Sequence, residues 1–207
     1  VNIAATHALG IDYLPEAISK FSSLNTKATF ETVTLHYDEI IKQVLELKVD
    51  VGIVYDPMPH DDLINEPIIK GNFVVIAPRD YFPHKTSVNI EEIKTQPFIK
   101  ITDKVGPRGP LGSKLEEYLL NNSISLNPTF NTETYQVALA LVAKGMGITI
   151  TDRISAESSA HSNIKILNLT PNLEFNLEIV YSKSNPLSLI NKSFINFLRD
   201  FKYKNNA

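Results

Sequence analysis

The chain has 207 residues, 43% of them hydrophobic and 21% charged, with a formal net charge of -3 and no cysteine. These values fit one large or two small globular domains and exclude a disordered or collagen-like chain, disulfides, thiolate metal sites and a Cys nucleophile. With 20 basic against 23 acidic residues the chain lacks a positive field to grip nucleic acid or anionic lipid, and no apolar run reaches the ~18 residues of a membrane span.

Residues 1–6 (VNIAAT) are a β-prone run; they open without an initiator Met, which reads as the excised part of a longer protein. Residues 9–24 carry Leu14, Ile18 and Phe21 at helical spacing. Residues 27–35 are rich in Thr and Val and predict a strand. A helix over 37–48 places Ile40, Ile41, Val44 and Leu45 on one stripe, with Asp38 and Glu39 in the first turn, where the helix dipole favours acids. Residues 49–55 (VDVGIVY) return as a buried strand. The order β-α-β-α-β in one sheet implies parallel strands.

A second unit repeats that order. Its strands are 98–101, 127–131 and 147–151, and its helices are 111–120 and 134–144, the latter ended by Gly145 as a left-handed cap. Residues 73–77 (FVVIA) read as a strand that crosses over, and 164–169 and 175–181 as further strands. A final helix over 187–201 aligns Leu187, Ile190, Phe194, Leu198 and Phe201 and must cover a sheet, so the chain is expected to return to its first lobe. The fold class expected is α/β, with two Rossmann-like lobes joined by crossover strands: 1–72 with 175–207, and 73–174.

In an open parallel sheet ligands sit beyond the carboxyl ends of the strands. Facing lobes would line a cleft with Thr6, His7, His36, Tyr37, Thr102, Asp103, Thr132, Thr134, Thr151 and Asp152. Helix N-termini there favour a carboxylate or other small anion, and Thr hydroxyls would complete its hydrogen bonds. Each Thr taken singly reads better as an ordinary N-cap; only their recurrence at corresponding corners points to a site. Arg108 and Arg153 fall on loops of the second lobe and suit a carboxylate, with a solvated surface pair as the bland alternative. Residues 105–113 (VGPRGPLGS) lack the Gly-Lys-Ser/Thr order of a phosphate loop, and Pro107 and Pro110 delete N–H donors, so the stretch reads as a mobile lip over the cleft. The five His lack helical zinc spacing, so no metal is expected, and His60, His84 and His161 fall in polar loops.

Three stretches resemble the effector-binding domain of LysR-type transcriptional regulators: VNIAATHALGIDYLPEAISKF, DEIIKQVLELKVDVGIVYDP and TYQVALALVAKGMGITITD. The last two carry the resemblance furthest, a helix ending in a turn that runs straight into an apolar strand. It implies two lobes of periplasmic-binding-protein type II-like fold with a co-inducer in the cleft. Thr6 and His7 would match the family's first-strand corner, His36 and Tyr37 the second, and Thr151 and Asp152 the third-strand corner of lobe two. It further implies a homodimer or tetramer in the cytoplasm, no cofactor, no membrane, and promoter DNA met only through an N-terminal winged helix-turn-helix absent from this sequence.

Two departures make the pocket more polar than an aromatic-acid sensor wants: Asp152 stands where many relatives carry Pro, and His36 or Tyr37 where several carry Ser or Thr. The expected ligand is a small carboxylate or an amino-acid-like metabolite, its carboxylate held by helix N-termini with Arg108 or Arg153 and an ammonium by Asp103 or Asp152. The rival readings are a solute-binding protein of a transport system and a small two-lobed enzyme using Asp103 and Asp152 as acid and base. No nucleophile elbow accompanies them, so the chain is read as no enzyme and no catalytic residue is assigned.

Overall fold

The computed structural model describes residues 1–102, 109–158 and 162–203. In chain order the elements are β1 (Asn2–Ala5), α1 (Tyr13–Leu24), β2 (Glu31–Thr34), α2 (Tyr37–Leu45), β3 (Val51–Tyr55), β4 (Leu63–Pro78), β5 (Ser87–Asn89) and a 3-10 turn (Ile90–Ile93). There follow β6 (Phe98–Ile101), α3 (Pro110–Asn121), β7 (Pro128–Thr132), α4 (Tyr135–Ala143), β8 (Thr149–Asp152), α5 (Arg153–Glu157), β9 (Ile164–Thr170), β10 (Glu174–Ser182) and α6 (Leu189–Asp200). The chain divides into two compact units, Val1–Lys70 with Asn176–Ala207, and Gly71–Phe175. β4 and β10 run through the boundary.

In the first unit β1 pairs in parallel with β2 and with β3, and β10 joins β3 antiparallel, Ile179 opposite Ile53. β3 is buried along its whole length, as its unbroken apolar run requires. One face packs under α2, where Ile40 and Val44 meet Ala4, Val54, Leu63 and Val180. Elsewhere in the unit α1 meets α6 through aromatic side chains: Phe21 lies edge-on to Phe194 at 5.1 Å and to Phe30 at 5.9 Å, and Tyr13 edge-on to Tyr203 at 5.3 Å. Each fully buried ring contributes about 1.5–3 kcal/mol of apolar burial.

The helix expected from residue 9 starts at Tyr13 instead, because residues 7–12 are turns. Gly10 donates to the Thr6 carbonyl there, and a Cβ on it would lie 2.2 Å from the Thr34 methyl, so the chain passes too close to β2 for a helix of ordinary side chains. β2 is correspondingly short, since β1 offers only four partners in register.

In the second unit β6 pairs with β7 in parallel and makes a single parallel bridge, Phe98 to Ile148, just ahead of β8. β8 itself turns to pair antiparallel with β4, Val75 opposite Ile150, so the strand expected over 147–151 changes partners partway. β4 also pairs antiparallel with β9, and β9 pairs in parallel with β5. The crossover expected over 73–77 is the last third of a sixteen-residue strand. β5, the 3-10 turn and α5 are too short to leave a periodic signal and were not expected.

The α2-to-β3 and α4-to-β8 connections share one backbone device. In α4, Gly145 N–H donates to the Val142 carbonyl and Met146 N–H to that of Leu141, with Gly145 left-handed at φ 77°. In α2, Leu47 donates to Val44 and Lys48 to Gln43, with Leu47 left-handed at φ 56°. Both are Schellman closures, and they give the repeat a physical form.

Candidate functional site

The parallel strands of the first unit end in a polar corner. Beyond β1, Thr6 places its Oγ1 out of solvent contact with no hydrogen-bond partner, an arrangement that costs stability unless a guest supplies one. His7 is exposed, and its ring meets that of His36 edge-on at 5.5 Å, so the ends of β1 and β2 are joined by two imidazoles. His36 stands at the N-cap of α2, but its side chain makes no cap bond. Tyr37 follows; its hydroxyl accepts the Met58 N–H at 3.0 Å, and burial pushes the phenol above its ordinary value.

Two acids that sequence reading did not single out complete this corner. Glu178, on β10 opposite Val54, has its carboxyl raised by burial and then by the charge of Asp56. Asp56 is left-handed at φ 40°; its carboxylate accepts the Asn176 N–H at 2.8 Å while its own N–H donates to the Asn176 carbonyl. Glu178 also acts electrostatically on Tyr37. No local motif announces this grouping, which register alone brings about.

In the second unit the strand ends are already engaged. Thr102 donates its N–H to the Thr132 carbonyl at 2.8 Å. Thr134 caps α4, its hydroxyl accepting the Val137 N–H at 3.4 Å, and Thr132 Oγ1 lies 3.5 Å from the Thr134 N–H. Asp152 is 3% exposed and caps α5, accepting the Ser155 N–H at 2.8 Å, while the Thr151 hydroxyl donates to its other oxygen at 3.3 Å. Arg153 donates to Asn72 at 3.0 Å, to Asn168, and to Glu157 at 3.2 Å. Its guanidinium is thus committed within the unit. Asp103, Arg108 with the rest of residues 105–108 of the expected lip, and His161 lie outside the described residues, while residues 110–113 of that stretch form the first turn of α3, where Pro110 needs no N–H partner.

The structure therefore groups Thr6, His7, His36 and Tyr37 in one unit, and Thr102, Thr132 and Thr134, and separately Thr151 and Asp152, in the other. Among the described residues no three His, Asp or Glu stand close enough to hold a metal ion, and no helix is long and apolar enough to cross a membrane.

The family profile described as LysR substrate binding domain matches residues 1–202. The HTH-type transcriptional regulator DgcR of Pseudoalteromonas sp is 32% identical over 199 residues, which span 96% of this chain and 67% of that protein. The chain spans between about half and two thirds of the length of the other curated regulators it matches. Among solved structures, the CcmR regulatory domain of Synechocystis PCC6803 in complex with 2-PG superposes with a TM-score of 0.83 at 18% identity, over 97% of this chain and 95% of that one. The effector binding domain of QuiR in complex with shikimate gives a TM-score of 0.81 at 19% identity over the same shares. At these identities the likeness is one of fold.

Proposed function

The chain belongs to the LysR substrate binding domain family, and on that premise we propose that it senses a small carboxylate or amino-acid-like metabolite for a DNA-binding transcriptional regulator. Its fold is the type II periplasmic-binding-like fold of that family's effector-binding domains. The corner beyond β1 supports the ligand half of the reading. Thr6 offers a desolvated hydroxyl, His7 and His36 offer ring N–H groups to a carboxylate, and Glu178 with Asp56 offers acceptors to an ammonium. That two fold neighbours were solved with small molecules bound, 2-PG and shikimate, accords with it.

Thr102, Thr132, Thr134, Thr151 and Asp152 belong to the proposal as a second set, as do Asp103 and Arg108. In the structure the side chains of Thr134 and Asp152 serve as caps, so any ligand contact from those two positions would come from backbone N–H groups or from a rearranged cap. Homodimers or tetramers, a cytoplasmic location, contact with promoter DNA through a separate helix-turn-helix and the lack of any catalytic activity complete the reading. A transport role is disfavoured by the relatives, which are named as HTH-type regulators.

The observation that carries the proposal is the buried, unpartnered Thr6 hydroxyl at a strand end in a chain of this family. A thermal-shift screen of amino acids, small organic acids and sulfur oxyanions tests it. At least one is expected to raise the melting temperature of the chain and to lose that effect in Thr6→Val. A ligand whose effect survives in Thr6→Val binds elsewhere and refutes this corner as the site.

A further inference from the structure

At the other end of the first unit's sheet lies a depression of about 250 Å³. It forms where β10 runs out beside the start of β4 and along the face of α6 from Lys192 to Arg199. β10 is antiparallel to β3, Leu177 opposite Tyr55 and Val180 opposite Gly52, so Ser182 and the residues after it lie off the amino end of β3. Thr6 follows the carboxyl end of β1, which runs parallel to β3. The depression and the Thr6 corner are therefore separate places in the same unit.

Three cations line it, Lys183, Lys192 and Arg199, and among the described residues no carboxylate does, in a chain whose net charge is -3. Arg199 is anchored: its Nε donates to Glu66 at 2.8 Å, and Tyr181 donates to the other oxygen of the same carboxylate at 2.5 Å. Burial and the Glu66 hydrogen bond push the Tyr181 phenol up to about 12, so it stays a donor throughout the physiological range. Glu66 thus has both oxygens occupied and neutralises one cation only. Lys183 spends one proton on the Asp61 carbonyl at 2.6 Å and keeps two; the nearby Asp62 carboxylate faces His60, 3.9 Å from its Nδ1. Among the described residues nothing hydrogen-bonds or ion-pairs with the Lys192 ammonium. Asn196, whose carbonyl oxygen accepts from Arg199, has its NH₂ left as a further donor.

A concave wall that presents donors and positive charge without a matching acid is complementary to an anion. Its volume falls just below the roughly 300–1,000 Å³ of drug-sized ligand sites, which is ample for a small anion. We infer that this depression binds a small free oxyanion, an inorganic phosphate or a short dicarboxylate, held by Lys183 and Lys192 and independent of the ligand at the Thr6 corner.

The test compares the melting temperature of the chain in sodium phosphate, in sodium succinate and in sodium chloride at matched ionic strength, followed by calorimetric titration of whichever anion acts. One of the two oxyanions is expected to stabilise the chain beyond chloride, and the responding arm tells a tetrahedral guest from a carboxylate. Affinity should fall on the order of tenfold in Lys192→Gln, about 1.4 kcal/mol for one charge-assisted hydrogen bond lost, and further in Lys183→Gln/Lys192→Gln. Both lysines are exposed, so these variants keep the fold; Lys192→Glu provides a second variant in which binding should vanish. Thr6→Val should leave the effect intact, which separates this site from the one proposed above. Equal behaviour in phosphate, succinate and chloride, or an oxyanion effect that persists in the double variant, would overturn the inference.

Discussion

At Thr6 the protein leaves a hydroxyl buried and unbonded, and this leads to an opposed pair of effects from a single substitution. Thr6→Val is nearly isosteric and removes the orphaned group, so the ligand-free chain should gain about 1 kcal/mol, the lower end of the cost of an unmet buried polar group. The same change should abolish stabilisation by any metabolite bound at that corner. Denaturant unfolding with and without ligand measures both; a variant less stable than the parent without ligand would mean that the hydroxyl has a partner after all. Glu178 yields a pH test. Its carboxyl is raised in the folded state, by burial and then by Asp56, so its contribution is fully present below its ordinary value of 4.5 and is lost as pH rises through the higher folded value. Glu178→Gln should therefore match the parent near about pH 4 and melt at a higher temperature near about pH 8. A constant difference across that range would show that Glu178 does not titrate as its surroundings dictate. Thr6, His7, His36 and Tyr37 were legible as candidates because polar residues at predicted strand ends are visible in sequence. Glu178 and Asp56 were not, because it is the antiparallel register of β10 on β3 that delivers an acid from the far end of the chain.

Helices were legible where their apolar stripes ran long: α2, α4 and α6 fall within the expected spans, and β6 falls on the expected residues. What failed was set by contacts that no window of sequence contains. Residues 63–70, with Glu66, Pro67 and Lys70, carry no pattern from which an element was expected, yet they continue β4 as a strand. The helix closures allow a sharper test, because three of them share one geometry and differ in residue. α3 closes as α2 and α4 do, Ser123 N–H to Leu120 and Ile124 N–H to Leu119, with Ser123 at φ 56°. Only the α4 closure has the glycine that the left-handed position favours. Leu47→Gly and Ser123→Gly are each expected to stabilise by up to about 1 kcal/mol, and Gly145→Ala to destabilise by about as much. Leu47 is 51% exposed, so losing its side chain forfeits little packing. Chemical denaturation of the three single variants checks the signs. Destabilisation by Leu47→Gly would mean that its side chain packs more than its exposure implies.

Over the whole molecule, the repeated β-α-β-α-β order was legible because each unit spells the same alternation of stripe and apolar run. The partner change of β8 and the antiparallel strands were not, since local patterns do not encode the sheet position of a strand. The first unit is assembled from both ends of the chain: α6 supplies Phe194 and Leu198, both fully buried, and Ile195 at 3% exposure. Tyr203 follows, 1% exposed, its hydroxyl donating to Asp12 at 2.5 Å ahead of α1. Deleting a large apolar side chain from a core costs about 2–5 kcal/mol, so removing these four together exceeds most of the roughly 5–15 kcal/mol that stabilises a domain. Ending the chain after Ser188 should therefore unfold the first unit although its strands β1, β2 and β3 are untouched. The second unit, Gly71–Phe175, keeps its own strands paired through β6 with β7 and β9 with β5. Hydrogen exchange of the truncated chain should show unprotected amides in β1 and β3 and retained protection in β6 and β9. Protection surviving in β1 and β3 would mean that α1 and α2 alone suffice to cover that sheet, and that the return of the chain to its first unit is dispensable for folding.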